Sequence, residues 1–297
     1  MDKFKQLLDS VKSKNNASFL FYGVDGVGKR YHSVLLAKTI LCMEPGINGE
    51  ACDSCENCSR VNKGTHPNIV IIEPENKDIK IEIIRDLIRD LSFSAPENGK
   101  RFIIIDDAHR MNSSSANALL KTLEEPPRDT YFILLSSNLK RIPATILSRC
   151  EMFRFSPLSN DKIAEIAGIA KDHKLLPYAL GSVSRLNFYM ANENEIVPLI
   201  EFMKKPEPSY KLISALVAGL MGKSATNAET FEYISSLITH LISEHIELKA
   251  LQGEDYRGAI DCVDRLRSMN AAFYLNSQPS IVLENMLLDA SNTLSSR

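Results

Sequence analysis

Gly23-Val24-Asp25-Gly26-Val27-Gly28-Lys29-Arg30 carries the clearest chemistry in the chain. Three glycines let a backbone curl so that successive N–H groups point at phosphate oxygens. Lys29 then reaches the terminal phosphates, and the following helix adds its positive N-terminal dipole. Such a loop ordinarily ends in Lys followed by Ser or Thr, whose hydroxyl ligates magnesium. Here the position holds Arg30, a fixed cation with no acceptor oxygen. It cannot ligate magnesium and should repel it, which puts hydrolysis by this loop in question. The plainer reading is a glycine turn with no ligand, but a strand signal before and a helix signal after favour a phosphate loop.

Further along, Ile103-Ile104-Ile105-Asp106-Asp107 is an apolar run ending in carboxylates. This is the Walker B pattern, true or vestigial. Asp106 would hold the metal through water, and Asp107 stands where Glu usually polarises the attacking water. The alternative is two solvated acids at a strand end. Asn138, closing Tyr131 to Ser137, is placed to sense a γ-phosphate.

Four of the six cysteines crowd together as Cys42-x9-Cys52-x2-Cys55-x2-Cys58. Four thiolates are what a closed, structural zinc site needs. A disulfide pair or an iron–sulfur cluster are the competing uses, and a reducing compartment favours metal. Arg149, in Ser148-Arg149-Cys150, follows the Asn138 strand and a short helix from Pro143. In an oligomeric ATPase an arginine so placed often enters the neighbour's site and stabilises charge on the γ-phosphate. An isolated arginine would instead make a weak surface ion pair.

These residues need a scaffold. Short β-rich runs at Ser18–Gly23, Asn68–Pro74, Arg101–Asp107 and Tyr131–Ser137 alternate with amphipathic helices. That alternation predicts an α/β fold with a parallel sheet covered on both faces. Ile81, Ile84, Ile88 and Leu91 mark one helix face. Ala116, Leu119, Leu120 and Leu123 mark another, stopped by Pro126 and Pro127. After Pro157 only helical patterns remain, with a connection at Lys204–Ser209. The chain of 297 residues therefore reads as an α/β domain (1–156), a small helical domain (157–203) and a last helical domain (204–297).

The formal net charge of -2 argues against a general polyanion binder. Residues 209–297 hold 7 Lys/Arg against 10 Asp/Glu, which suits protein contacts better than a basic DNA arm. No apolar run reaches membrane length and no signal segment opens the chain, so a cytoplasmic, membrane-free protein is expected.

With these motifs in view, the chain resembles the delta-prime subunits of the bacterial DNA polymerase III clamp loader, an AAA+ family. The resemblance rests on the cysteine knuckle, Gly64-Thr65-His66-Pro67, Ile103–His109, the run Ala116–Pro127 ending in Glu-Glu-Pro-Pro, and Ser148-Arg149-Cys150. Asn276–Leu288 looks like the family's last collar helix. Gly181-Ser182-Val183-Ser184-Arg185 is similar to its sensor-2 element, although Ser184 replaces the usual glycine.

The resemblance implies a RecA-like AAA+ P-loop domain with zinc knuckle, a lid, and a C-terminal helical collar that oligomerises. It implies a hetero-oligomer with gamma/tau and delta subunits that places the sliding clamp on primed DNA. Arg149 would be the finger in the adjacent gamma/tau ATP site, Arg185 would face nucleotide, and Cys42, Cys52, Cys55 and Cys58 match the zinc ligands. No polymerase chemistry is implied for this chain. Degenerate phosphate loops are common in the family, so Arg30 is compatible with it, and Lys29 leaves ATP binding open.

Three other readings compete. A gamma/tau-type ATPase shares the knuckle and the Ser-Arg-Cys triplet; Arg30 and the lack of a long C-terminal extension count against it. A free-standing ATPase or helicase is prompted by Asp106-Asp107-Ala108-His109, but no second RecA-like domain is visible. A non-catalytic zinc-ribbon scaffold is the third.

Overall fold

The computed structural model describes residues 2–46, 49–74, 78–91, 99–206, 209–221, 228–273 and 278–295. The chain divides into two compact units, Met1–Ser159 and Asn160–Arg297.

The first unit is built on a parallel sheet of β1 (Ala17–Tyr22), β2 (Ile69–Ile72), β3 (Arg101–Ile105), β4 (Thr130–Ser136) and β5 (Glu151–Arg154). Its spatial order is β2-β3-β4-β1-β5, with every neighbouring pair parallel. β3 and β4 are buried along their whole length, as their apolar runs Phe102–Ile105 and Tyr131–Leu135 require. The helices are α1 (Asp2–Ser13), α2 (Lys29–Leu41), α3 (Glu56–Asn62), α4 (Ile81–Asp90), α5 (Ser113–Glu124) and α6 (Ala144–Leu147). One sheet face packs Leu20, Ile103, Ile105, Phe132 and Leu134 against Ile84 and Leu87 of α4 and Leu119 and Leu123 of α5. The other packs Phe19, Phe21, Phe102 and Ile133 against Leu7 and Val11 of α1 and Leu36 of α2.

The strand ends share one edge. Gly23 N donates to Ser136 O at 3.2 Å, Asp106 N to Ile72 O at 2.8 Å, and Phe155 N to Tyr22 O at 2.7 Å. In open parallel sheets the carboxyl ends of the strands are where ligands bind. Residues following β1, β2, β3 and β4 therefore meet there: Gly23, Glu73, Asp106 and Asn138.

One element lies outside the sequence expectation. β5, Glu-Met-Phe-Arg, is not among the four expected strands, but it pairs with β1 from Phe19 to Tyr22. Three of its four residues are exposed, so it lacks the apolar run that marks the other strands.

The second unit is helical: α7 (Asn160–Ala167), α8 (Val183–Ala191), α9 (Glu193–Lys204), α10 (Tyr210–Met221), α11 (Ala228–Gln252), α12 (Arg257–Phe273) and α13 (Pro279–Ser295). α13 packs on α9, α10, α11 and α12, burying Val282, Leu283, Met286, Leu287 and Ala290. Tyr189 of α8 donates its hydroxyl to Tyr233 O of α11 at 2.9 Å. Helices of the expected lid and of the expected collar are thus packed together in this unit. Of the residues compared with the collar helix, Asn276 and Ser277 lie outside the described residues, as do Glu207 and Pro208 of the connection.

Candidate nucleotide site and metal knuckle

The phosphate loop has the backbone its sequence demands. Gly26 (φ 71°) and Gly28 (φ 91°) are left-handed, and Gly28 caps α2. Gly23 is fixed by contact: a Cβ there would lie 2.2 Å from the Phe155 carbonyl oxygen. Lys29 is buried and folds back on the loop, its Nζ donating to Gly23 O at 2.8 Å and Val24 O at 2.9 Å. Asp25 lies 3.5 Å from the same ammonium. The cation is thus held by weak carbonyl acceptors at the position from which it would meet phosphate.

Arg30 turns towards the acids. Its Nη1 contacts Asp106 Oδ2 at 3.3 Å and pairs with Glu73. β1 and β3 are separated by β4, so the side chain on α2 bridges two strand spacings, about 10 Å. Glu73 was not anticipated as a site residue. The register Ile72↔Ile105 puts it beside Asp106, and an acid just beyond a buried strand was the signal available.

Magnesium does not fit this arrangement. It needs near-octahedral oxygen ligands at about 2.0–2.1 Å, and the loop supplies no hydroxyl while a guanidinium occupies the carboxylate meant to hold the ion. Asp106, expected to hold a metal through water, here pairs with Arg30.

Asp107 takes a left-handed backbone (φ 46°). It pairs with Arg110 at 3.2 Å and lies 3.9 Å from His109. The imidazole of His109 is buried, and that burial, before any neighbouring charge, lowers its pKa to about 4, so it is neutral near pH 7. Asn138 is two residues past Ser136, the residue joined to Gly23, and its Oδ1 accepts from Lys140 N at 3.1 Å.

Arg149 follows α6. Its Nε and Nη2 both donate to Glu124 Oε2, at 3.0 and 2.9 Å, and Nη1 reaches Thr145 O at 3.1 Å. Glu124 was not singled out from sequence, although it belongs to the Glu-Glu-Pro-Pro run. Arg185 lies in the second unit, where it is buried. Its Nη1 donates to Ala179 O at 3.4 Å and its guanidinium lies 5.7 Å from the Tyr233 ring centroid.

The four cysteines converge: the sulfurs of Cys42, Cys52, Cys55 and Cys58 all lie within 4.8 Å of one another. The Cys42–Cys55 and Cys52–Cys58 separations are each 4.0 Å. No disulfide is formed, and all six cysteines of the chain are free. Tetrahedral zinc at 2.3 Å from each sulfur sets sulfurs about 3.8 Å apart, so the donor set fits such an ion. Backbone N–H groups of Cys52, Cys55 and Cys58 point at Cys42, Cys52 and Cys55 sulfurs at 3.3, 3.3 and 3.5 Å. Hydrogen bonds from Ser54, first among several, lower the Cys52 pKa to about 6, while burial pushes Cys58 up to about 12.

The strand order, the glycine loop after β1 and the acid after β3 define a P-loop NTPase fold of the AAA+ type. Residues 1–159 match the family described as DNA polymerase III, delta subunit. The chain belongs to that family. It is 38% identical over 162 residues to DNA polymerase III subunit delta' of Bacillus subtilis, covering 54% of this chain and 49% of that protein. It is 34% identical over 282 residues to DNA polymerase III subunit gamma of Buchnera aphidicola subsp. Baizongia pistaciae, covering 89% and 75%. A solved gamma subunit-related protein of DNA polymerase III from Thermotoga maritima shares the fold, with a TM-score of 0.53 at 18% identity, over 98% of this chain and 99% of that one. The chain spans about half the length of the first curated relatives it matches. Among the described residues, no helix is long and apolar enough to cross a membrane.

Proposed function

We propose that this chain is a delta-prime-type clamp-loader subunit that supplies Arg149 in trans to a neighbouring gamma/tau ATPase. Its partners are then gamma/tau and delta subunits, the sliding clamp and primed DNA, in the cytoplasm. Residues 157–203 act as a lid and 204–297 as the oligomerising collar. The observation that carries this reading is a pair of arginines: Arg30 fills the cation position of the chain's own loop, while Arg149 stands after α6, held by the exposed carboxylate of Glu124. Exchanging Glu124 for a phosphate costs little, since exposed ion pairs contribute at most about 1 kcal/mol. Cys42, Cys52, Cys55 and Cys58 hold a structural zinc.

The test is a loader reconstituted with Arg149→Ala. An arginine finger contributes roughly 10³–10⁵ in kcat at the site it serves. Turnover at the adjoining gamma/tau site should therefore vanish and clamp loading should fall at least about tenfold, with assembly intact by gel filtration. Unchanged ATP turnover would favour the scaffold reading.

A second reading, a gamma-type ATPase, is favoured by the likeness to the Buchnera gamma subunit across 89% of this chain. It requires magnesium-dependent turnover by the purified chain alone. Measuring that turnover with and without gamma/tau separates the two, and the missing hydroxyl at Arg30 predicts none for the isolated chain.

A further inference from the structure

We propose that Arg30 is a tethered substitute for the divalent cation, so that the phosphate loop takes a nucleoside diphosphate or triphosphate free of metal. The inference rests on reading the loop as a nucleotide site and goes beyond it by naming the form of the ligand. In a metal-dependent site the strand-end carboxylate holds a cation against the phosphate oxygens. Here Asp106 holds a guanidinium, 3.3 Å from Nη1, and Glu73 holds it from the neighbouring strand. A guanidinium has five N–H donors in a planar fork suited to phosphate. Both anchoring contacts run through Nη1, so the fork has donors to spare.

The rest of the loop is poised for an anion. Lys29 rests on two backbone carbonyls, which phosphate oxygens outcompete as acceptors. The charges set the preference among ligands. Lys29 and Arg30 supply two positive charges against the carboxylates of Asp25, Glu73 and Asp106. Without a divalent ion such a site favours the less charged ligand, the diphosphate over the triphosphate.

Equilibrium binding of ADP and ATP to the purified full chain, in EDTA and in millimolar magnesium, tests this. Affinity in EDTA should equal or exceed that in magnesium, because magnesium sequesters the free nucleotide. Arg30→Thr, which restores a hydroxyl, should lose about tenfold or more in EDTA and recover in magnesium, the scale of one charge-assisted contact. Lys29→Ala should weaken both conditions.

A wild-type chain that loses about tenfold or more on chelation overturns the role of Arg30 but leaves the nucleotide site standing. Absence of binding in both conditions overturns the two together, while co-assembly with gamma/tau still reports on loader membership. Arg30→Thr binding as tightly as wild type in EDTA also overturns it. Circular dichroism shows whether the variant folds, and the wild-type comparison decides alone if it does not.

Discussion

At the scale of single residues, Gly23 and Gly64 make a controlled comparison. Both have positive φ, but a Cβ at Gly23 would strike the Phe155 carbonyl at 2.2 Å while one at Gly64 meets nothing within 4 Å. Gly64→Ala should cost only the left-handed penalty, about 1 kcal/mol. Gly23→Ala must also move β5's exit and should cost roughly 3 kcal/mol or more in urea unfolding. His109 gives a pH dependence. Unfolded, its imidazole protonates near 6.5; folded, only near about 4. The fold therefore binds fewer protons, and its stability is full above pH 6.5 and drains as pH falls towards 4, by about 3 kcal/mol in total. His109→Gln should flatten that part of the stability–pH curve; an unchanged slope would contradict it. The loop lysine and the Walker-type aspartate were legible because their spacing is local. Glu73 and Glu124 were not, because each becomes a partner only when strands or helices distant in sequence meet.

At the scale of elements, legibility followed burial. β3 and β4 announce themselves as apolar runs because both faces are covered, and α4 and α5 by helical periodicity. β5 is held by pairing with β1 and by Phe153, whose ring meets Phe19 and Phe21 edge-on at 5.8 Å; a single inward side chain leaves no pattern to read. The knuckle was legible from spacing alone, and α3 completes it with Cys55 as its N-cap, whose sulfur accepts from Cys58 N. Removing the most buried of its four cysteines gives the sharpest test of zinc. Cys58→Ser should reduce bound zinc from about one per chain to near none, since structural zinc requires four ligands. A strong chelator should lower the melting temperature of the wild type and leave that of the variant unmoved. Absence of zinc from the wild type would point to a metal-free cluster, and undiminished zinc in the variant would sink the four-thiolate site.

At the scale of the whole molecule, each unit carries its own core, and the two cores can be perturbed separately. The first is the sheet with its two helical layers. The second centres on Phe231 of α11, stacked on Phe273 of α12 with ring centroids 4.0 Å apart, and on the buried face of α13. Phe231 is fully buried, so Phe231→Ala leaves a cavity that should cost about 3–5 kcal/mol. A chain of two cores need not unfold in one step. The cost should therefore appear in the helical unit, lowering its transition by on the order of 10 °C. Zinc content and the affinity for ADP, which the proposals above assign to the first unit, should stay as in the wild type. Calorimetry resolves the transitions, and the metal and nucleotide assays report on the other unit in the same sample. If the loader assembles through residues 204–297, the same variant should also lose co-assembly with gamma/tau while the isolated chain still binds zinc. Loss of zinc together with assembly would mean that the two cores stand or fall as one.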